Sequence, residues 1–268
     1  MTSLLLAICC AGTDVHTDSS GGDTDGDGDG DADTDADTDT DTDTDVQTAE
    51  LSGIISGPDG AALEARLQLC ATSCRTGNTE NNGSYAFAQA EVAPVVHSFD
   101  VFPTDDDYAT VLFPISFAAD AELDVSVPDN KVWADIGATT AEVALGGGMH
   151  VSLGTDDMKP PFGIDASPAR ATFVDEALWP PIDTLDGDLA ALWYLDPYDT
   201  FPVESEGFAF RIEADSLPGE GPYQVWVMHY DVEEYTSRWE PAGTLTVADG
   251  WGTSDELLPL LNTIAITE

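Results

Sequence analysis

From Leu51 onward the chain runs in short apolar stretches, many of them alternating apolar with polar residues, and each is closed by Gly, Pro, Asn or Asp. A period of two places successive side chains on opposite faces of a strand, and frequent turn residues leave no window for an amphipathic helix. The pattern predicts an all-β protein. Strands are expected over Leu51–Ser56, Ala65–Cys70, Ser84–Ala88, His97–Phe102, Tyr108–Phe117 and Leu123–Val127, with turns at Gly57-Pro58-Asp59-Gly60 and Asn82-Gly83. A second series covers Ala141–Leu145, Met149–Leu153, Ala190–Leu195, Phe208–Glu213, Tyr223–Tyr230, Gly243–Val247 and Asn262–Thr267.

The two series are separated at Pro128-Asp129-Asn130, and the length allows one large or two small domains. The expected architecture is two β-sandwich domains in tandem, 51–129 and 130–268, the second holding all six tryptophans. In Tyr223–Met228, Tyr223, Val225 and Val227 alternate with Gln224, Trp226 and Met228, so one face is expected to be core and the other not.

The first series also carries Gly53-Ile54-Ile55, Asp59-Gly60-Ala61-Ala62-Leu63, Ala65-Arg66-Leu67 and Asn82-Gly83-Ser84-Tyr85-Ala86-Phe87. In these motifs residues 50–128 resemble the carboxypeptidase regulatory-like domain, a transthyretin-like β-sandwich of exported bacterial proteins. The resemblance implies a rigid spacer or binding unit without peptidase chemistry. Tyr85 and Phe87, two apart, should enter the core together.

Ahead of Leu51 the composition is different in kind. From Asp23 to Asp45 every second residue is aspartate, and only Thr, Gly and Ala lie between. Such a segment buries nothing and repels itself, so residues 13–50 are expected to form a disordered acidic linker with a contour of at most about 125 Å. Asp23, Asp25, Asp27 and Gly28 copy the first half of a calcium-binding EF-hand loop. The twelfth position, however, is Thr34 or Ala36 according to the start, where a carboxylate belongs. A charged linker with weak, diffuse divalent binding is the better reading.

Residues 1–12 hold Leu4-Leu5-Leu6-Ala7-Ile8 and then Cys9-Cys10-Ala11-Gly12, which reads as the end of an export signal. The stretch is similar to a bacterial lipoprotein signal, with Cys10 the better acceptor on the size of its neighbour, although no Lys or Arg precedes the apolar run. An ordinary signal cut after Ala11 is the alternative. The expected location is the cell envelope, at the outer membrane or cell surface through a lipid anchor, or else secretion.

The formal charge is −45, from 52 acids and 7 bases. The stretch Asp14–Asp45 holds 14 of those acids, so 38 acids still face 7 bases in the remainder. Binding to phosphate backbones needs clustered Lys and Arg, so nucleic acid is excluded as a partner.

Cys70 and Cys74, in an otherwise Cys-free globular region, read as a disulfide closing a tight loop, because His97 alone does not complete a metal set. His16, His97, His150 and His229 stand apart, no nucleophile elbow or phosphate loop is present, and no cofactor or metal is expected. Asp183, Asp186, Asp188, Asp196 and Asp199 flank Trp193, Tyr194 and Tyr198, but so many acids supply such pairs by chance. Of the aromatic set Trp179, Trp193, Tyr194, Tyr198, Trp226, Tyr230, Tyr235 and Trp239, most are expected in the core. Trp179 and Tyr198, both beside prolines in loops, are the candidates for binding a sugar or a protein segment. The functional expectation is a non-enzymatic envelope protein presenting two sandwiches on a stalk to a protein or carbohydrate ligand. A small hydrolase with a carboxylate site in loops of the second region is the rival.

Overall fold

The computed structural model describes residues 47–268 apart from 162, 183 and 232–235. Cys9, Cys10, His16, residues 13–46 of the expected linker, Asp183 and Tyr235 lie outside the described residues. The described residues form nineteen strands and three single-turn 3₁₀ segments, an all-β arrangement. In order these are β1 (Thr48–Ser56), β2 (Ala65–Cys70), β3 (Cys74–Asn78), β4 (Ser84–Glu91), β5 (His97–Pro103), β6 (Val111–Ile115), β7 (Ala121–Glu122) and β8 (Val125–Ser126). They continue with β9 (Ala141–Gly146), β10 (Met149–Leu153), β11 (Met158–Lys159), β12 (Arg170–Phe173), β13 (Leu189–Asp196), β14 (Phe201–Pro202) and β15 (Phe210–Glu213). The last four are β16 (Tyr223–Asp231), β17 (Thr236–Ala248), β18 (Trp251–Thr253) and β19 (Ile264–Thr267).

Strands β1–β8 make two facing sheets, β4-β1-β7 with β8 also on β1, and β3-β2-β5-β6. Strand β1 starts at Thr48, so residues 48–50 of the expected linker are strand. Its inward positions Leu51 and Ile55 face Leu67 and Leu69 of β2, Phe99 and Val101 of β5, and Val111 and Phe113 of β6. Tyr85 and Phe87 enter this core together: Phe99 lies 5.4 Å from the Tyr85 ring and 5.6 Å from Phe113. The Tyr85 hydroxyl is satisfied by donating to the Leu123 carbonyl at 2.8 Å.

The Asn82-Gly83 turn is not a hairpin between paired strands. Strands β3 and β4 belong to different sheets, so the chain crosses from one layer to the other there, and Gly83 alone carries the positive φ, +81°. A Cβ on Gly83 would also come within 2.4 Å of the Ile55 carbonyl oxygen.

Strands β9, β10, β12, β13 and β15–β19 form one nine-stranded sheet, β12-β13-β19-β16-β17-β18-β15-β10-β9, which folds over on itself. The fold-over is made by β17, which pairs with β16 up to Leu245 and with β18 from Thr246, with a register shift opposite Val225/Trp226. Its two halves enclose a core of Trp193, Leu195, Val225, Ile264 and Ile266 from one side and Leu145, Met149, Val151, Phe210 and Ile212 from the other. The indole Nε1 of Trp193 donates to the Gly147 carbonyl at 2.9 Å and ties the two sides together.

The expectation that only one face of Tyr223–Met228 is core is corrected. Tyr223, Val225 and Val227 face the second core, while buried Met228 and half-buried Trp226 join the first core with Leu192, Tyr194, Trp239 and Ala265. The sheet is apolar on both faces because the β1–β8 sandwich packs on its back. The same packing explains why β6 is buried at all five positions, and Thr263 Oγ1 donates across it to the Leu112 carbonyl.

Candidate functional site

The connection that follows β13, Asp196-Pro197-Tyr198-Asp199-Thr200-Phe201, runs along the seam between the two groups of strands. Its start is fixed by Arg170, a nearly fully buried base whose Nε donates to the Asp196 carboxylate at 2.8 Å. The same guanidinium donates to the carbonyls of Asp106 at 2.9 Å, Asn130 and Tyr108, and it lies 4.0 Å from the Trp133 ring centroid. One charge therefore bolts together a loop of the first sandwich, the chain crossing to the second, and the end of β13. Further along, Thr200 Oγ1 donates to the Pro197 carbonyl at 3.0 Å, and the Asn262 amide donates to Asp199. Asp199 itself is held at φ +46°, a left-handed conformation uncommon outside glycine.

Three hollows meet this segment. The first, of about 540 Å³, is lined by Trp133, Tyr198, Asp106, Asp165, Asp196 and Ser167 among others. Trp133 is 38% exposed. The Arg170 guanidinium occupies one side of its indole, so a ligand in the hollow meets the indole elsewhere. Tyr198 stands on Phe102, ring centroids 5.3 Å apart, and burial pushes its hydroxyl pKa up to about 12, so it stays a neutral donor and acceptor.

The second hollow, about 640 Å³, lies beside Asp199 and is lined by Lys159, Pro161, Phe201, His229 and Tyr230. The third, about 190 Å³, lies behind the segment between the two sandwiches and holds Asp100, Asp199, Tyr198, Ser98 and the Cys70–Cys74 pair. Burial raises the Asp100 pKa to about 7, with a smaller push from Asp199, opposed by the hydrogen bond from Ser98 Oγ and by Arg66. Burial likewise raises Asp199 to about 6, against the pull of His229. Two carboxyls from different sandwiches thus share one small cavity with proton affinities far above that of an ordinary Asp.

The two aromatic candidates part company. Tyr198 lines the first and third hollows, whereas Trp179 is half-buried against the first core, donates its Nε1 to the Val174 carbonyl at 3.0 Å, and does not line the hollow of Tyr198. Trp193 and Tyr194 are fully buried, and Trp226 Nε1 donates to Thr267 Oγ1 at 2.9 Å. Of the flanking acids, Asp186 and Asp188 are exposed, Asp196 is spent on Arg170, and Asp199 faces Asp100. Cys70 and Cys74 stand opposite each other on β2 and β3 with their sulfurs bonded.

Sequence reasoning missed Trp133, whose signal was its place outside any alternating run just past Pro128. It also missed Asp100, which sits between Phe99 and Val101 at a position that alternation assigns to solvent. His97 Nε2 donates to the Glu91 carbonyl, 2.8 Å away, and the ring stacks on Phe117. Among the described residues no group of three or more His, Cys, Asp or Glu is placed to hold a metal ion. No helix among them is long and apolar enough to cross a membrane.

No family model matches the chain, and no curated protein matches it. Among solved structures it is similar to one described as "Crystal structure of a putative carbohydrate binding protein from Bacteroides uniformis ATCC 8492", at 12% identity over 75% of this chain and 99% of that one. The TM-score is 0.24, and a likeness of that size carries no argument about this chain.

Proposed function

We infer that the chain is a non-enzymatic envelope protein that binds carbohydrate in the Trp133–Tyr198 hollow. The observation that carries this is Trp133: a partly exposed indole on the wall of a concave site of about 540 Å³, backed by a buried guanidinium. An aromatic platform flanked by hydroxyls and carboxylates suits the C–H face and the hydroxyls of a sugar ring, and the volume falls within the range of ligand pockets. Export, acylation of Cys10 and a charged stalk complete the reading, with the β1–β8 sandwich serving as a carboxypeptidase regulatory-like spacer. Its support is the apolar start, the alternating Asp tract and the two packed four-stranded sheets.

The test is titration of the protein with neutral and charged oligosaccharides, followed by intrinsic tryptophan fluorescence. Binding should be lost in Trp133→Ala and weakened in Tyr198→Ala. Saccharide binding that is unchanged in Trp133→Ala would move the site elsewhere, and no saccharide binding at all would end this reading.

The rival hydrolase is favoured by one observation, the Asp100–Asp199 pair with raised pKa values. The cavity that holds it is only about 190 Å³, below the roughly 300 Å³ at which ligand pockets begin. Release of reducing ends from any oligosaccharide in the panel, abolished by Asp199→Asn, would establish the hydrolase instead.

A further inference from the structure

We propose that the ligand of the Trp133 hollow is a cationic amino sugar, a pyranose carrying a protonated amine. The proposal rests on the carbohydrate reading of the same hollow and adds its charge. Three carboxylates line the site, Asp106, Asp165 and Asp196. Asp196 is already matched by Arg170 at 2.8 Å. Among the described residues Asp106 and Asp165 have no base within ion-pair distance, and the nearby Lys131 is paired with Asp107 at 2.7 Å.

Unpaired acids are ordinary on a protein with 52 of them. These two differ in standing on the walls of an aromatic hollow, where a bound ligand strips water from them. A neutral sugar offsets that desolvation only through hydrogen bonds from its hydroxyls, whereas an ammonium group adds the opposite charge to them. The exposed part of the Trp133 indole adds attraction for a cation held near it. The field of a protein at −45 also concentrates cations in a concavity and repels acidic sugars. A basic protein segment would satisfy the charge, but two aromatic side chains on the walls of one hollow, Trp133 and Tyr198, suit a flat ring better than a narrow lysine stem.

The experiment uses the full chain and four probes at low salt in mildly acidic buffer: a glucosamine oligomer, its N-acetylated counterpart, a neutral glucose oligomer and an oligolysine. The glucosamine oligomer should bind about tenfold more tightly than either neutral sugar. The preference should shrink as salt is added and should collapse in the exposed, isosteric double variant Asp106→Asn/Asp165→Asn. Equal affinity for the charged and N-acetylated oligomers overturns the proposal but leaves the carbohydrate reading standing. Failure of all three sugars overturns both. Oligolysine binding more tightly than the glucosamine oligomer, with the same dependence on Trp133, also overturns the proposal.

Discussion

Replacing Asp100 by Asn should stabilise the protein at pH 8 and leave its stability nearly unchanged at pH 4. The carboxyl of Asp100 has a pKa of about 7 in the folded chain against an ordinary 3.8, chiefly because it is buried. A raised carboxyl pKa means that the folded state holds the proton more tightly than the unfolded chain does. The site therefore costs nothing while both states are protonated, below about pH 4. The cost grows as the unfolded chain ionises first, and it levels off above about pH 7. A gap of about three pH units at about 1.4 kcal/mol each sets a limit of about 4 kcal/mol for a rigid site.

Asparagine keeps the shape and the Oδ1 that accepts the Ser98 hydroxyl, but it cannot ionise. For a domain of this size the gain corresponds to roughly 10 °C in melting temperature at pH 8. The assay is a series of thermal or urea unfolding curves for both proteins between pH 4 and pH 8. The two stability curves should diverge with rising pH, the variant above the wild type. If Asp100→Asn instead destabilises the protein by the same amount at every pH, the cavity does not hold a strained carboxyl and the reasoning fails.

Arg170→Met should cost about 3–5 kcal/mol in urea unfolding, because it strands the buried Asp196 carboxylate and three carbonyls; a loss below about 1 kcal/mol would show the clamp to be ornamental. Peptide mapping of the protein purified without reductant should recover no free thiol at Cys70 or Cys74, and Cys70→Ala/Cys74→Ala should cost only about 2 kcal/mol, since the closed loop is short. Cys10→Ser should move the protein from the membrane fraction to the soluble one, given about 0.8 kcal/mol per buried methylene of an acyl chain. Recovery of soluble wild-type protein that begins at Gly12 would refute the anchor.

The half-buried strands were legible, and the seam was not. Strand β10 alternates Met149, Val151 and Leu153 inward with His150 and Ser152, so its pattern names both its class and its inner face. The sequence pattern names only Gly243–Val247 of strand β17, because Pro241 looks like a breaker; in the fold Pro241 and Gly243 occupy the register shift where the strand turns from one half of the sheet to the other. Strand β12 went unread because its first residue is the buried Arg170, and no local pattern says that an arginine will be enclosed by carbonyls more than 35 residues away in sequence. Asp100 and Trp133 were hidden for the same reason. Their roles are set by what packs against them from the other sandwich, and a periodicity taken one strand at a time contains no information about a neighbour so distant in the chain.

The double-faced sheet bears on how such a protein can be divided or inherited. A fragment starting at residue 130 would keep every strand of its nine-stranded sheet yet present Leu192, Tyr194, Met228, Trp239 and Ala265 to water. That is a contiguous oily surface of the kind that drives self-association. Pairing ladders and exchangeable modules therefore do not coincide in this chain. The smallest piece able to travel between proteins, or to be expressed without precipitating, runs from Thr48 to the C-terminal strand, and shuffling at the turn near Asp129 would yield two halves that each expose the oily face the other covers.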